Sequence, residues 1–316
     1  GELMQKINLP KNVDVTTAAR RGRNIIWSIA RALLLIGLSF IILYPILYMI
    51  SVSFRMPDEL MDPSVVWIPK QLTLSNYKFV FEKTEYISAF FRTLALSLVC
   101  SVFQMFSCGL TGYGFARFKF HGRTLLFFGA LLTFIVPPQI ISMPLYTQYS
   151  AFTRATGLQM IGTILPSTVS AVFSQGLRAG LFIYLFRQFF KNMPLELEDA
   201  AHLDGCGPIS AYFRVMLPNA VPMLLVTFIL TFVWYWNDYI NVALFFGQAK
   251  PLAVLLSGLS DTITTMRGAN GTGYTMFQNN VYVDTFCLLF IMPPIIFYGF
   301  LQKKFTENLV NAGIVG

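Results

Sequence analysis

The chain has 316 residues, 55% of them hydrophobic and only 12% charged, with a formal net charge of +8. Soluble domains carry about 25% charged residues, so this composition excludes an ordinary soluble domain and makes lipid the expected main solvent. The positive balance then reads as basic loops held on the cytoplasmic side, not as a nucleic-acid surface.

Runs of about 20 mostly apolar residues, long enough to cross a hydrocarbon core, predict six spans. They cover Ala32–Phe54, Thr93–Ala116, Thr124–Tyr146, Ile161–Phe186, Val221–Ala243 and Val281–Leu301. The first is too long for a signal-peptide core and no A-x-A site follows it, so it is expected to be retained. Basic residues fall before it (Lys6, Lys11, Arg20, Arg21, Arg23), in the second connection (Arg117, Lys119, Arg123), in the fourth (Arg187, Lys191, Arg214) and after the last span (Lys303, Lys304). These alternate ends share one side, which the positive-inside rule makes cytoplasmic together with both termini. The long first connection, 55–92, balances its five basic residues with Asp58, Glu59, Asp62, Glu82 and Glu85. Residues 1–23 are expected to form a cytoplasmic tail, 24–316 the six-span domain, and 302–316 a second cytoplasmic tail.

Proline interrupts the spans at five places, Pro45, Pro137–Pro138, Pro144, Pro166 and Pro293–Pro294, where the lost backbone donor predicts kinks. Between the fourth and fifth spans lies ELEDAAHLDGCGPISAYFRVMLP, residues 196–218. Pro194 suits a helix start, with Glu196, Glu198 and Asp199 near its positive end. Leu197, Ala200 and Ala201 share a face. Gly205 and Gly207 break that helix and Pro208 begins another, in which Ile209, Tyr212, Phe213 and Met216 form an apolar stripe ending at Pro218. Two short helices at an angle make a rigid cytoplasmic knob.

Asp199-Ala200-Ala201, Gly205 and Val215-Met216-Leu217-Pro218 have the spacing of an E-A-A, Gly, I-x-L-P loop. On these residues the chain resembles the permease subunits of binding-protein-dependent ABC importers, with Asp199 and Val215 in place of Glu and Ile. Less specifically, residues 24–316, including the tail FTENLVNAGIVG, look like the smaller permease of maltose-type carbohydrate importers, and the chain looks close to that of an alginate-oligosaccharide importer. The resemblance implies an all-α membrane protein with the type I importer permease fold. It makes 194–218 the coupling loop, with Asp199, Ala200, Ala201, Gly205, Ile209, Tyr212, Phe213, Leu217 and Pro218 docking an ATPase subunit. It also implies a second permease, a pair of ATP-binding subunits, an extracytoplasmic solute-binding protein, an oligosaccharide substrate and a bacterial inner-membrane location. The small tail residues Ala312, Gly313 and Gly316 would suit a crevice between the ATPases or a frayed end.

No G-x-x-x-x-G-K-[ST] occurs, so no P-loop is expected in this chain, and the resemblance implies that ATP and Mg are bound by the partner subunits and that this chain is not an enzyme. RGANGTG, 267–273, lacks the lysine and reads as a flexible outside turn. Cys100, Cys108, Cys206 and Cys287 show no CxxC pairing, and His121 and His202 have no ligand spacing, so neither metal nor disulfide is expected.

Two features could face a substrate. Arg178 is a charge within the fourth run, which marks a wet pathway unless it snorkels to the surface. FVWYWNDYIN, 232–241, surrounds Asn237 and Asp238 with Trp234, Tyr235, Trp236 and Tyr239. Its aromatic faces could pack on sugar rings or form an interfacial belt. Gln104 and Gln139 are further polar candidates. The rival is an ion-coupled secondary transporter, which would more often show paired halves or several buried acids.

Overall fold

The computed structural model describes residues 13–269 and 276–311, and among them every regular element is helical. The amino-terminal helix α1 (Val13–Ser53) begins inside the expected tail and carries Pro45 within it. Residues 24–45 are exposed throughout, as an apolar helix can be only against lipid or another subunit.

The first connection is folded, not slack. A 3₁₀ turn (Pro57–Met61) and α2 (Ser75–Lys83) close over the end of α1. Buried Arg55 donates to the carbonyls of Val65 at 3.2 Å and Val66 at 2.6 Å. Asn76 donates to the Ser53 and Arg55 carbonyls at 2.9 and 2.8 Å, which satisfies acceptors at the end of α1 that burial would otherwise leave unpaired.

Helix α3 (Tyr86–Arg117) is the central span. It packs against α6 (Leu165–Val172), α7 (Ala179–Asn192), α10 (Val221–Trp236) and α12 (Leu252–Ser257). Close approach to α7 requires Gly112, where an added Cβ would lie 2.5 Å from the Phe186 Cβ. Small residues that let backbones approach are the usual means of packing helices in lipid. Around this contact Tyr113, Phe182, Phe186, Phe190, Tyr212 and Met216 form one buried cluster. A second cluster joins Tyr86, Phe232, Trp236, Leu252 and Ile263 to Phe286 of the last helix, α14 (Met276–Asn311). The remaining elements are α4 (Arg123–Ile135), α5 (Pro138–Thr156), α8 (Glu196–Leu203), α9 (Pro208–Asn219), α11 (Ile240–Phe245) and α13 (Leu259–Ala269).

Three single helices have the length and apolarity to cross a membrane: Asn24–Ser53, Tyr86–Arg117 and Gln278–Lys303. Two bent pairs pass the same criterion. The expected third span becomes α4 and α5, bent by 104° where Pro137–Pro138 interrupts the backbone ladder. The pair α9 and α10 bends by 77°, so the helix continues through Pro218 to Asn219 before turning.

The fourth span differs most from expectation. Ile161–Phe186 is not one helix: α6 ends at Val172, the chain unwinds, and α7 starts at Ala179. Ser174 (φ 57°) and Arg178 (φ 54°) adopt left-handed backbone, which ends a right-handed helix. Pro166 lies in the first turn of α6, where a proline starts a helix instead of kinking it. The fifth run also stops early, at Trp236, before Asn237–Tyr239 leads into α11. Pro144, Pro293 and Pro294 lie inside helices. Arg267–Ala269 of the expected outside turn are helical, closing α13; 270–275, the tail residues Ala312, Gly313 and Gly316, and Lys6 and Lys11 lie outside the described residues.

Candidate functional site

The 194–218 passage forms two short helices, as its prolines and glycines predict. Glu196, Glu198 and Asp199 occupy the first turn of α8. Its end is a Schellman cap: Cys206 N donates to Ala201 O at 2.9 Å, and Gly205 N to His202 O at 3.0 Å. Gly205 sits between them at φ 82°, which a side chain would strain. Pro208 opens α9, which passes through a π turn at Tyr212–Met216.

The apolar stripe of α9 divides between two faces. Tyr212 and Met216 are buried in the bundle, whereas Ile209 is 73% exposed and Phe213 53%. Leu203 of α8 is 90% exposed, and Asp199, Ala200, Gly205 and Pro218 are also on the surface. Ala201 is buried and Leu217 is half-buried. The knob therefore presents Leu203 and Ile209 outward while Ala201, Tyr212 and Met216 root it; Phe213 borders a hollow with Phe103, Phe106 and Leu110 of α3.

An acid beside the motif does the anchoring. Glu198 is buried, lies 3.0 Å from Arg117 Nε and accepts a 2.6 Å hydrogen bond from the Tyr113 hydroxyl. Arg117 also donates to Met193 O at 2.9 Å. A buried carboxylate of this kind needs both charge and hydrogen bonding to offset desolvation. Sequence reading places Glu198 at a helix start but not its partners, which lie 81 and 85 positions away.

The second feature is a cavity of about 730 Å³ between α4, α5, the unwound 173–178 segment and the end of α10. Its wall includes Thr133, Ser170, Ser174, Gln175, Arg178, Tyr235, Asp238 and Asn241. Arg178 caps the start of α7 and is exposed to this space, its guanidinium 5.1 Å from the Trp234 ring and 5.8 Å from Phe134. Among the described residues no carboxylate forms an ion pair with it. The cavity's own acid is otherwise engaged. Asp238 Oδ1 accepts from Asn241 N at 3.1 Å, and Oδ2 from Asn241 Nδ2 at 3.1 Å.

Of the aromatic passage, Tyr235 and Asp238 line the cavity, Trp234 lies against the Arg178 guanidinium, and Trp236, Asn237 and Tyr239 are outside the wall. Trp236 is buried elsewhere, donating from Nε1 to Phe290 O at 3.0 Å. Asn237 is exposed outside the cavity and donates to Val233 O at 2.8 Å. Tyr235 matters more than its neighbours suggest: its hydroxyl donates to Gln104 Oε1 at 2.6 Å and accepts from Leu177 N at 3.3 Å. Gln104 Nε2 in turn donates to Leu177 O at 2.7 Å. Gln139 is exposed and outside the cavity wall. Among residues with described side chains no cluster of His, Cys, Asp and Glu could hold a metal ion.

Residues 109–309 match the family described as "Binding-protein-dependent transport system inner membrane component". The arabinooligosaccharides transport system permease protein AraQ of Bacillus subtilis is 30% identical over 92% of this chain and 97% of its own length. The trehalose transport system permease protein SugB of Mycobacterium tuberculosis is 28% identical over 87% and 93%. A bacterial ABC transporter involved in the import of the acidic polysaccharide alginate shares the fold, with TM-score 0.71 and 22% identity over 90% of this chain and 98% of that one. The bent and broken helices, the rooted knob and these likenesses agree: the chain belongs to the binding-protein-dependent transport system inner membrane components.

Proposed function

We propose that the chain is one of two permease subunits of an ATP-driven oligosaccharide importer in a bacterial inner membrane, with both termini cytoplasmic. The knob carries this reading. Its exposed Leu203 and Ile209 give an apolar surface on two helices fixed by a glycine cap and a buried ion pair. Such a face suits a groove in another protein, and the docking partner is a separate subunit that holds ATP and Mg. When two such subunits close, each knob is carried with its ATPase, and the helix bundles switch between inward-open and outward-open packing. A solute-binding protein outside delivers the sugar as the path opens.

The sugar named in the relatives' descriptions supports an oligosaccharide here. For this chain the acidic class is favoured, because Arg178 reaches the cavity with no carboxylate paired to it among the described residues. A uronate carboxylate would supply the missing acceptor while Trp234 offers an aromatic face beside it.

The test is uptake into vesicles holding the complete complex. Uptake should need ATP and the ATPase subunit; uptake that follows an ion gradient without that subunit would instead make the chain a secondary transporter. Arg178→Gln should lower uptake of a uronate oligosaccharide about 10- to 100-fold, the worth of one charge-assisted hydrogen bond, and leave a neutral one much less affected. Equal losses for both would remove the acidic assignment.

A further inference from the structure

Helix α3 is tied at two levels, at one end by the ion pair that roots the knob and further along by a buried amide that the docking and substrate reading leaves unused. At its end, Tyr113 and Arg117 hold Glu198 of the knob. Higher up, Gln104, itself fully buried, grips the unwound 173–178 segment through Leu177 O and receives the Tyr235 hydroxyl from α10. The two ties are about 14–20 Å apart along one helix. Between them α3 is pressed on α7 at Gly112, and at Gly109 an added Cβ would meet the Tyr212 hydroxyl at 3.1 Å. Little slack exists between the knob and the segment carrying Arg178.

We propose that α3 is the strut that transmits knob movement to the cavity, with Glu198 and Gln104 as its two positioning residues. Neither residue touches the ATPase face or lines the cavity. A buried pair at one end prevents the knob from rocking independently of α3. The amide at the other end holds both backbone groups of the turn: its own Nε2 fixes Leu177 O, and through Tyr235 it fixes Leu177 N. Shifting α3 therefore shifts Leu177 and its neighbour Arg178. Beyond this, Gln175 N donates to Ser170 O at 2.7 Å and Ser174 Oγ lies 2.9 Å from Thr111 Oγ1, itself on α3, while Ser174 and Arg178 sit in left-handed backbone that no helix ladder supports.

This inference rests on the knob being the ATPase-docking element, so the experiment separates the two. Complexes of the chain with its partner permease, ATPase and binding protein are placed in vesicles, and sugar moved per ATP hydrolysed is measured. Glu198→Gln keeps the side-chain shape and the Tyr113 acceptor but removes the charge; Gln104→Met keeps length and removes both hydrogen bonds. Each variant is expected to keep the ATPase bound and hydrolysing while sugar per ATP falls about 10-fold, within the range found for residues that carry coupling between sites. Because both act in one strut, the double variant should be no worse than the more severe single one. An unchanged ratio in Glu198→Gln, or losses that multiply in the double variant, would overturn the strut. If either variant fails to assemble, Arg117→Lys and Tyr235→Phe test the same two ties, and an unchanged ratio in both overturns it equally. Failure of the unmodified complex to couple sugar to ATP would overturn the docking reading itself.

Discussion

Gly205 shows how one residue can decide the shape of a functional element. Its positive φ lets the Ala201 and His202 carbonyls be satisfied at the end of α8, and the chain then reverses into Pro208. Gly205→Ala should cost about 1–2 kcal/mol of local stability by forcing a side chain into left-handed backbone. Loss of the ATPase from the purified complex at lower denaturant than for the unmodified chain would register it. Gly176 makes a different demand, since an added Cβ would lie 2.2 Å from both Gln104 Oε1 and the Tyr235 hydroxyl. Gly176→Ala should therefore abolish most uptake while the knob still binds its ATPase; retained uptake would show that the 173–178 segment tolerates displacement. Trp236→Phe offers the contrast. It removes a buried hydrogen bond to Phe290 O, so it should lower the thermal midpoint by the equivalent of about 1–3 kcal/mol without changing preference between sugars.

At the scale of elements, legibility followed local signals. The knob could be read because prolines and glycines punctuate it and its acids sit at a helix start. Which side of α9 faces out could not, because the stripe Ile209, Tyr212, Phe213 and Met216 is apolar all along and only the bundle beneath selects Tyr212 and Met216. Hydropathy also joined α6 and α7 into one span: Phe173–Arg178 holds no proline, and left-handed Ser174 and Arg178 leave no mark on an apolar average. Pro137–Pro138 announced its break, and the bend proved large. The Glu198–Arg117 and Gln104–Leu177 ties are invisible for another reason, since each joins residues more than 70 positions apart. Where α7 meets α4, an added Cβ at Gly180 would lie 2.2 Å from Ala130 O. Gly180→Val should thus destabilise the chain by about 1–3 kcal/mol or more through overpacking against backbone, measurable by thermal unfolding in detergent.

For the whole molecule, the two ends of the structure have different needs. The cavity side requires polar groups in a helix bundle, and these are mostly satisfied by one another, leaving Arg178 as the charge facing open space. At the knob the bundle carries exposed Leu203 and Ile209, which water alone would disfavour, on helices held by the Gly205 cap and the Glu198–Arg117 pair. Between them lies one continuous span, α3, joined to both. This build accords with the proposed drive from a separate subunit, by force applied at the knob.

The most direct test of that account is capture of the ATP-binding subunit by the purified membrane chain with its partner permease, comparing the unmodified chain with Leu203→Asp and Ile209→Asp. Both positions face outward, so the substitutions should leave the helix bundle and the pairing of permeases intact while releasing the ATPase and abolishing ATP-dependent uptake. An ATPase that remains bound and coupled in both variants would show that the knob is not the docking surface, and the drive to the cavity would have to enter elsewhere.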